Sequence, residues 1–412
     1  MRKEDKSAFI SINCEYSRKL TFCVMSVESQ NHDALQSKVI DWIKFPLIVG
    51  VVFVHFKGMN VSGGDVPIDQ LPLFENGLSA SVYNSLRVLF SYTFGNVSVP
   101  LFFLISGFLF FKSLKSADNT FSFETYLYKL KSRSKTLLTP YVLWISISLC
   151  VSVIIGVFLK HEYSLADFLE KNNYFHVFWD SQKGSGHGVN ILGMERLPNI
   201  YPFLNPFWYV RDLIVCVLFS PLIYWFVRKL KFLAVVILWL VAEINLWPQI
   251  PGFHMGGFFW FPLGAYFSIF GKNLVDVFRK VKIPSYILSV IVIFLRLYFW
   301  NETLLPLGSV TGYLILGIAF FNLSADVVEK GLVKIPKLFL ESQFFVYALH
   351  TILIQTNTKK LLDFILPFDQ SVLCLGVKYF MTNLLTVAFC VLAYWLCRSL
   401  FPRICSLLTG GR

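Results

Sequence analysis

The chain has 412 residues, 55% of them hydrophobic and 15% charged, with a mean hydropathy of +0.60. Soluble domains carry about 25% charged residues, so this balance excludes an ordinary soluble domain. The net charge of +12 is accounted for by topology and anionic lipid headgroups, and no nucleic-acid partner is expected.

The apolar residues fall in blocks of about twenty, the length at which a helix crosses a ~30 Å hydrocarbon core. Strands of a membrane barrel would alternate with period two; the runs at 207–226 and 283–300 do not. The expected fold is all-α, a polytopic membrane helical bundle with about ten transmembrane helices. The spans are placed at 39–56, 88–111, 137–159, 207–227, 232–247, 253–271, 283–300, 304–323, 338–356 and 373–397.

Residues 1–38 are polar and irregular and contain no signal-peptide apolar core; they are expected to form a disordered cytoplasmic segment. A second methionine, Met25, offers a shorter start. The transmembrane domain is set at 39–397 and a cytoplasmic C-terminal tail at 398–412. Loops on the side of both termini hold 25 of the 37 Lys and Arg, against seven in the opposite loops. The positive-inside bias therefore puts both termini in the cytoplasm of a multi-pass integral membrane protein. The loop 160–206 contains Lys183-Gly184-Ser185-Gly186-His187-Gly188, too glycine-rich for a helix; it reads as a mobile lid or as a plain loop. The loop 112–135 is short, so any chemistry must be built from the bundle and its loops. Eight cysteines, Cys14, Cys23, Cys150, Cys216, Cys374, Cys390, Cys397 and Cys405, show no metal-ligand spacing. They are read as small apolar side chains, and no metal is expected.

Ionisable residues inside a span are costly and usually face the bundle interior. Here they are Asp41, Lys44, His55, Arg87, Arg211, Asp212, Glu243, Arg296, His350 and Lys378. Lys44 and His55 are eleven residues apart, which on a helix is within about 20° of three full turns and about 16 Å of rise. Both therefore project from one face, and Asp41 lies about a turn below Lys44, where it can pair with it. Lys129, Lys131, Arg133 and Lys135 precede the third span, as a topology signal or a phosphate-binding patch.

In order, these motifs resemble the acyltransferase-3 family of integral membrane acyltransferases. Lys44 and His55 match its basic residue, ten intervening residues and histidine. Val99-Pro100-Leu101-Phe102-Phe103-Leu104-Ile105-Ser106-Gly107-Phe108 resembles its second-span signature. Arg133 through Pro140-Tyr141 and Trp144, then Asn205-Pro206-Phe207-Trp208-Tyr209-Val210-Arg211-Asp212-Leu213, resemble two further stretches. Phe259-Trp260-Phe261-Pro262-Leu263-Gly264 fits its aromatic–glycine span, and Ser342 through Tyr347 to His350 its late Ser…Tyr…His span. Lys44 stands where arginine is frequent, and Thr136 where a second arginine often follows Arg133. The chain resembles the short form, without an extracytoplasmic esterase-like domain.

The resemblance implies transfer of an acyl group, usually acetyl, from cytoplasmic acyl-CoA to a hydroxyl of an extracytoplasmic glycan or lipid-linked saccharide. Acyl-CoA is a donor substrate; no tightly bound cofactor is implied. Arg133, Lys131 and Lys135 are expected to dock its phosphates, with the pantetheine arm running past Lys44. His55 is expected to act as general base or as the acyl carrier, with Ser106, Tyr347 or Arg211 donating to the oxyanion. His350 is assigned a structural or secondary role. A transporter or exporter of a polysaccharide precursor or small anion is the rival reading, since intramembrane charges also suit a substrate pathway.

Overall fold

The computed structural model describes residues 32–61, 73–74, 77–114, 122–172, 174–184, 200–244, 247, 250–300, 310–366 and 371–411. The glycine-rich segment after Gly184 and residues 1–31 lie outside them. The described chain is helical almost throughout: α1 (32–55), α2 (Leu78–Lys112), α3 (Phe123–Leu159), α4 (Leu165–Lys171) and α5 (Tyr174–Trp179) come first. A two-residue antiparallel pair, β1 (Gln182–Lys183) with β2 (Ile200–Tyr201), follows. Next are α6 (Asn205–Leu218), α7 (Ser220–Leu230), α8 (Phe232–Glu243), α9 (Met255–Ile269), α10 (Leu274–Arg279) and α11 (Lys282–Tyr298). The chain closes with α12 (Val310–Glu329), α13 (Lys337–Ile365), α14 (Val372–Leu400) and α15 (Pro402–Thr409).

By length and composition, five of the described helices can cross a membrane: α2, α3, α12, α13 and α14. The pair α6 and α7 makes a sixth if it is one broken span. The expected count of about ten is larger because several apolar blocks form helices that are too short. The 12 residues of α8 rise about 18 Å and the 15 of α9 about 22 Å, short of a ~30 Å core. The helix α1 is long enough but carries Lys38, Asp41 and Lys44.

Three expected boundaries change. The run expected as one span at 207–227 is bent by 66° at Phe219, where Ser220-Pro221 starts a new helix; proline is favoured in a helix's first turn. The basic stretch before the third span is helix, continuous with that span in α3. The expected N-terminal segment turns helical by residue 32. Nor does the C-terminal segment hang free: Cys405 and Leu408 are buried, and the Trp144 indole donates to the Leu408 carbonyl at 2.9 Å.

Glycines set the tightest contacts. A Cβ on Gly107 of α2 would stand 2.1 Å from the Phe261 carbonyl oxygen of α9, and one on Gly264 of α9 2.0 Å from that of Leu104 on α2. The two backbones touch at reciprocal glycines, as small residues allow in membrane bundles. On the other flank, a Cβ on Gly50 of α1 would stand 2.4 Å from Ser98 Oγ, and one on Gly95 of α2 2.9 Å from the Gly50 carbonyl. Two glycine seams thus hold α2 between α1 and α9.

The charges in the apolar segments have partners. Arg87 donates to the carbonyls of Lys57 and Gly58 and to the side-chain oxygens of Asn60 and Asn84. Glu243 accepts from Thr311, Lys378 pairs with Asp363, and Arg296 lies over the Tyr313 ring.

Candidate active site

The face of α1 predicted from the Lys44–His55 spacing opens on a cavity between Lys44 and Val51. This cavity of about 410 Å³, open to solvent, is lined by Lys44, Ser106, Arg133, Tyr209, Glu341 and Tyr347 among mostly apolar side chains. Four of the site residues expected from sequence, Lys44, Ser106, Arg133 and Tyr347, therefore meet in one place.

The charges at this cavity differ in how far they are already engaged. Lys44 Nζ lies 2.8 Å from Asp41 Oδ1, the pairing expected from the helical spacing. Glu341 bonds Arg398 and lies 3.5 Å from Lys337. Arg133 has no carboxylate partner among the described residues; its guanidinium lies 6.0 Å from the centroid of the Phe110 ring. The expected phosphate patch is divided: Lys131 and Lys135 are exposed and do not line the cavity. Two residues on a helix turn about 200°, so they point away from the face that carries Arg133.

Two of the expected oxyanion donors are engaged elsewhere. The Tyr347 hydroxyl donates to the Pro206 carbonyl, and a phenol has one proton to give. The Arg211 guanidinium is 3% exposed and is absent from the cavity lining. Its Nε donates to Asp212 at 2.8 Å, and its Nη1 donates to the carbonyls of Trp179 at 2.6 Å and Ile200 at 3.1 Å. It lines a separate small pocket with Trp208 and His254. Ser106 remains at the cavity, with its Oγ 3.1 Å from the Tyr209 hydroxyl. Tyr209, which sequence reasoning did not single out, is the second hydroxyl there.

His55 is the last residue of α1 and lies beyond the cavity, one turn past Val51, which lines it. The carbonyls of a final helical turn have no partner within the helix. Here two side-chain amides supply them: Gln355 Nε2 donates to the Val52 carbonyl at 3.0 Å, and Asn383 Nδ2 to that of Phe56 at 3.2 Å. Gln355 and Asn383 also bond each other at 3.2 Å. Neither was selected from sequence, although an amide within an apolar run carries the same signal as a charge. The His55 ring packs on that of His350, centroids 5.1 Å apart and planes at 58°. His350 in turn neighbours Tyr347, at 6.4 Å. Tyr347 and His350 thus connect the cavity to His55.

Directly after His350, α13 leaves helical geometry: Ile352 has ψ 82 and Leu353 a positive φ of 69. A leucine in this region is strained, and such strain collects at functional sites.

A family profile described as an acyltransferase domain, Acyl_transf_3, matches residues 38–401. The succinoglycan biosynthesis protein ExoH of Rhizobium meliloti (strain 1021) is 25% identical over 303 residues, covering 68% of this chain and 69% of that protein. No solved structure matches the chain.

Proposed function

Because the chain belongs to the acyltransferase-3 family and is therefore a membrane O-acyltransferase, we propose that it moves an acetyl group from acetyl-CoA, entering from the cytoplasm, to a hydroxyl of an extracytoplasmic glycan. The observation that carries this reading is Arg133, a guanidinium without a carboxylate partner among the described residues, on a cavity whose other wall holds Lys44. A polyanionic donor is what such a charge attracts. The mostly apolar remainder of the cavity suits the pantetheine arm and the thioester. The relative named for succinoglycan biosynthesis supports a glycan as acceptor.

In this reading the thioester passes Tyr347 and meets His55. The acceptor hydroxyl attacks the thioester carbonyl, a C–O bond forms, the C–S bond breaks, and the proton taken from the hydroxyl goes to the departing CoA thiolate. His55 carries that proton as general base, or accepts the acetyl group first and hands it on. In this reading both termini are cytoplasmic and the basic loops lie inside.

The test is to incubate the purified, lipid-reconstituted protein with radiolabelled acetyl-CoA and envelope glycan from the source cells. Release of free CoA and alkali-labile label on the glycan are expected. Intact donor throughout would refute the reading and leave transport as the function. For the orientation, a reporter fused after Arg412 should be active only inside the cell; activity outside would reverse it.

A further inference from the structure

His350 was expected to have a structural or secondary role, and its surroundings say which. The ring is fully buried, and its Nδ1 lies 2.8 Å from the Tyr347 carbonyl and 3.1 Å from that of Val346. Carbonyl oxygens only accept, so Nδ1 carries the hydrogen. In the neutral ring Nε2 then presents a lone pair and nothing else. That Nε2 is buried and has no hydrogen-bond partner. A buried acceptor left unpaired is destabilising, and such groups call for an explanation in function. The ring packed against it is that of His55, which makes no hydrogen bond to any described residue.

We propose that His350 is the positioning partner of His55: its Nε2 lone pair accepts the His55 N–H and so fixes which His55 nitrogen offers its own lone pair to the reacting centre. This rests on His55 being the reacting histidine. A neutral imidazole has one N–H and one lone pair, and a base is useful only with the lone pair facing the substrate. Catalytic bases are commonly oriented by a third group in this way, and their hydrogen bonds commonly tighten only when substrate is bound. The structure supplies what an orienter needs. The two Nδ1 contacts lock the tautomer of His350. The break at Ile352 and Leu353 ends the regular helix next to it, and Gln355 and Asn383 hold the end of α1 across from it. When His55 takes up a proton, the same lone pair stabilises the cation.

Two substitutions separate positioning from packing, because the asparagine and glutamine amides mimic different halves of the ring. In His350→Asn the amide reproduces Nδ1 and its bonds to the carbonyls, but nothing stands at Nε2. In His350→Gln the amide oxygen reaches the Nε2 position. With acetyl-CoA and source-cell envelope glycan as probes, at matched membrane levels, His350→Asn should lose about 100-fold or more in kcat with KM for acetyl-CoA unchanged. His350→Gln should stay within about tenfold of wild type. An Asn variant as active as the Gln variant, or more so, overturns the proposal, since a packing role favours the variant that keeps the carbonyl bonds. His55→Ala is run alongside. If it is active, the reading underneath is wrong; if it is dead while Asn outperforms Gln, only the role of His350 fails. Should neither His350 variant insert, ¹⁵N-histidine spectra of the wild type decide: an Nδ1–H tautomer whose Nε2 resonance moves in His55→Ala supports the proposal. An Nε2–H tautomer, or a resonance that stays in place, overturns it.

Discussion

Two arginines of this protein show what a charge does when the fold uses it and when the fold leaves it available. Arg211 is 3% exposed, bonded to the carboxylate of Asp212 and to the carbonyls of Trp179 and Ile200. Asp212 itself is fully buried and also accepts the His254 N–H at 3.3 Å. This guanidinium ties the β1–β2 region to the start of α6. Arg133 is half-buried on α3, touches the face of Phe110, and opens on the cavity. The family motif covers both stretches of sequence, yet Arg211 is tied to a carboxylate and two carbonyls while Arg133 has no carboxylate partner among the described residues. The same division holds for the histidines, since His55 makes no hydrogen bond to the described protein and His350 has a spare lone pair.

The division is sharpest at His55, where the largest effect is expected. Because this side chain is not bonded to the fold, His55→Ala should leave an inserted protein of normal stability. Loss of a general base costs about 10²–10⁴-fold in rate. The measurement is acetyl transfer at matched membrane expression, with detergent-solubilised thermal stability as the control. A variant that keeps more than about a tenth of the wild-type rate would show that His55 is not the reacting group.

Arg211→Ala should do the reverse. It leaves the Asp212 carboxylate buried without its cation, and breaking a buried pair in this way costs about 3–5 kcal/mol. Little monodisperse protein should be recovered after solubilisation, and Arg211→Met combined with Asp212→Leu should restore yield, because no lone charge remains. A single variant that folds normally but shows a raised KM for acetyl-CoA would move Arg211 into the donor site and erase the contrast with Arg133.

Local periodicity made the polar face of α1 readable in the sequence. Lys44 and His55 share a face because eleven residues close three turns, and Asp41 pairs with Lys44 for the same reason. The glycines of the second-span and aromatic–glycine motifs do meet, Gly107 on Phe261 and Gly264 on Leu104. The same helical arithmetic separates Arg133 from Lys131 and Lys135. Other features have no local signal. Neither glycine nor asparagine stands at Leu353 to mark the break. The meeting of His55 with His350, and the capping of α1 by Gln355 and Asn383, join segments about 300 residues apart. Bends are hidden for a third reason: an apolar run such as 207–227 reads as continuous whether the helix is straight or bent by 66° at Phe219.

The smallest of the three effects bears most directly on the donor. A charge-assisted contact from a guanidinium to phosphate contributes about 1.5–3 kcal/mol, so Arg133→Ala should raise KM for acetyl-CoA roughly 10- to 150-fold. KM for the acceptor should not change, since the acceptor is proposed to enter at the other end of α1. Stability should hardly change, because Arg133 has no ion pair among the described residues to lose. Arg133→Lys keeps the charge without the planar fork and should fall between wild type and alanine. Lys131→Ala and Lys135→Ala serve as internal controls: both side chains are exposed and outside the cavity lining. Each should weaken donor binding by no more than a screened surface charge does, and the loss should fade as salt is raised. Steady-state kinetics over a range of acetyl-CoA concentrations decides the matter. If Lys131→Ala raises KM as much as Arg133→Ala, the donor sits on the exposed helix surface rather than in the cavity, and the separation between the available and the engaged arginine loses its functional meaning.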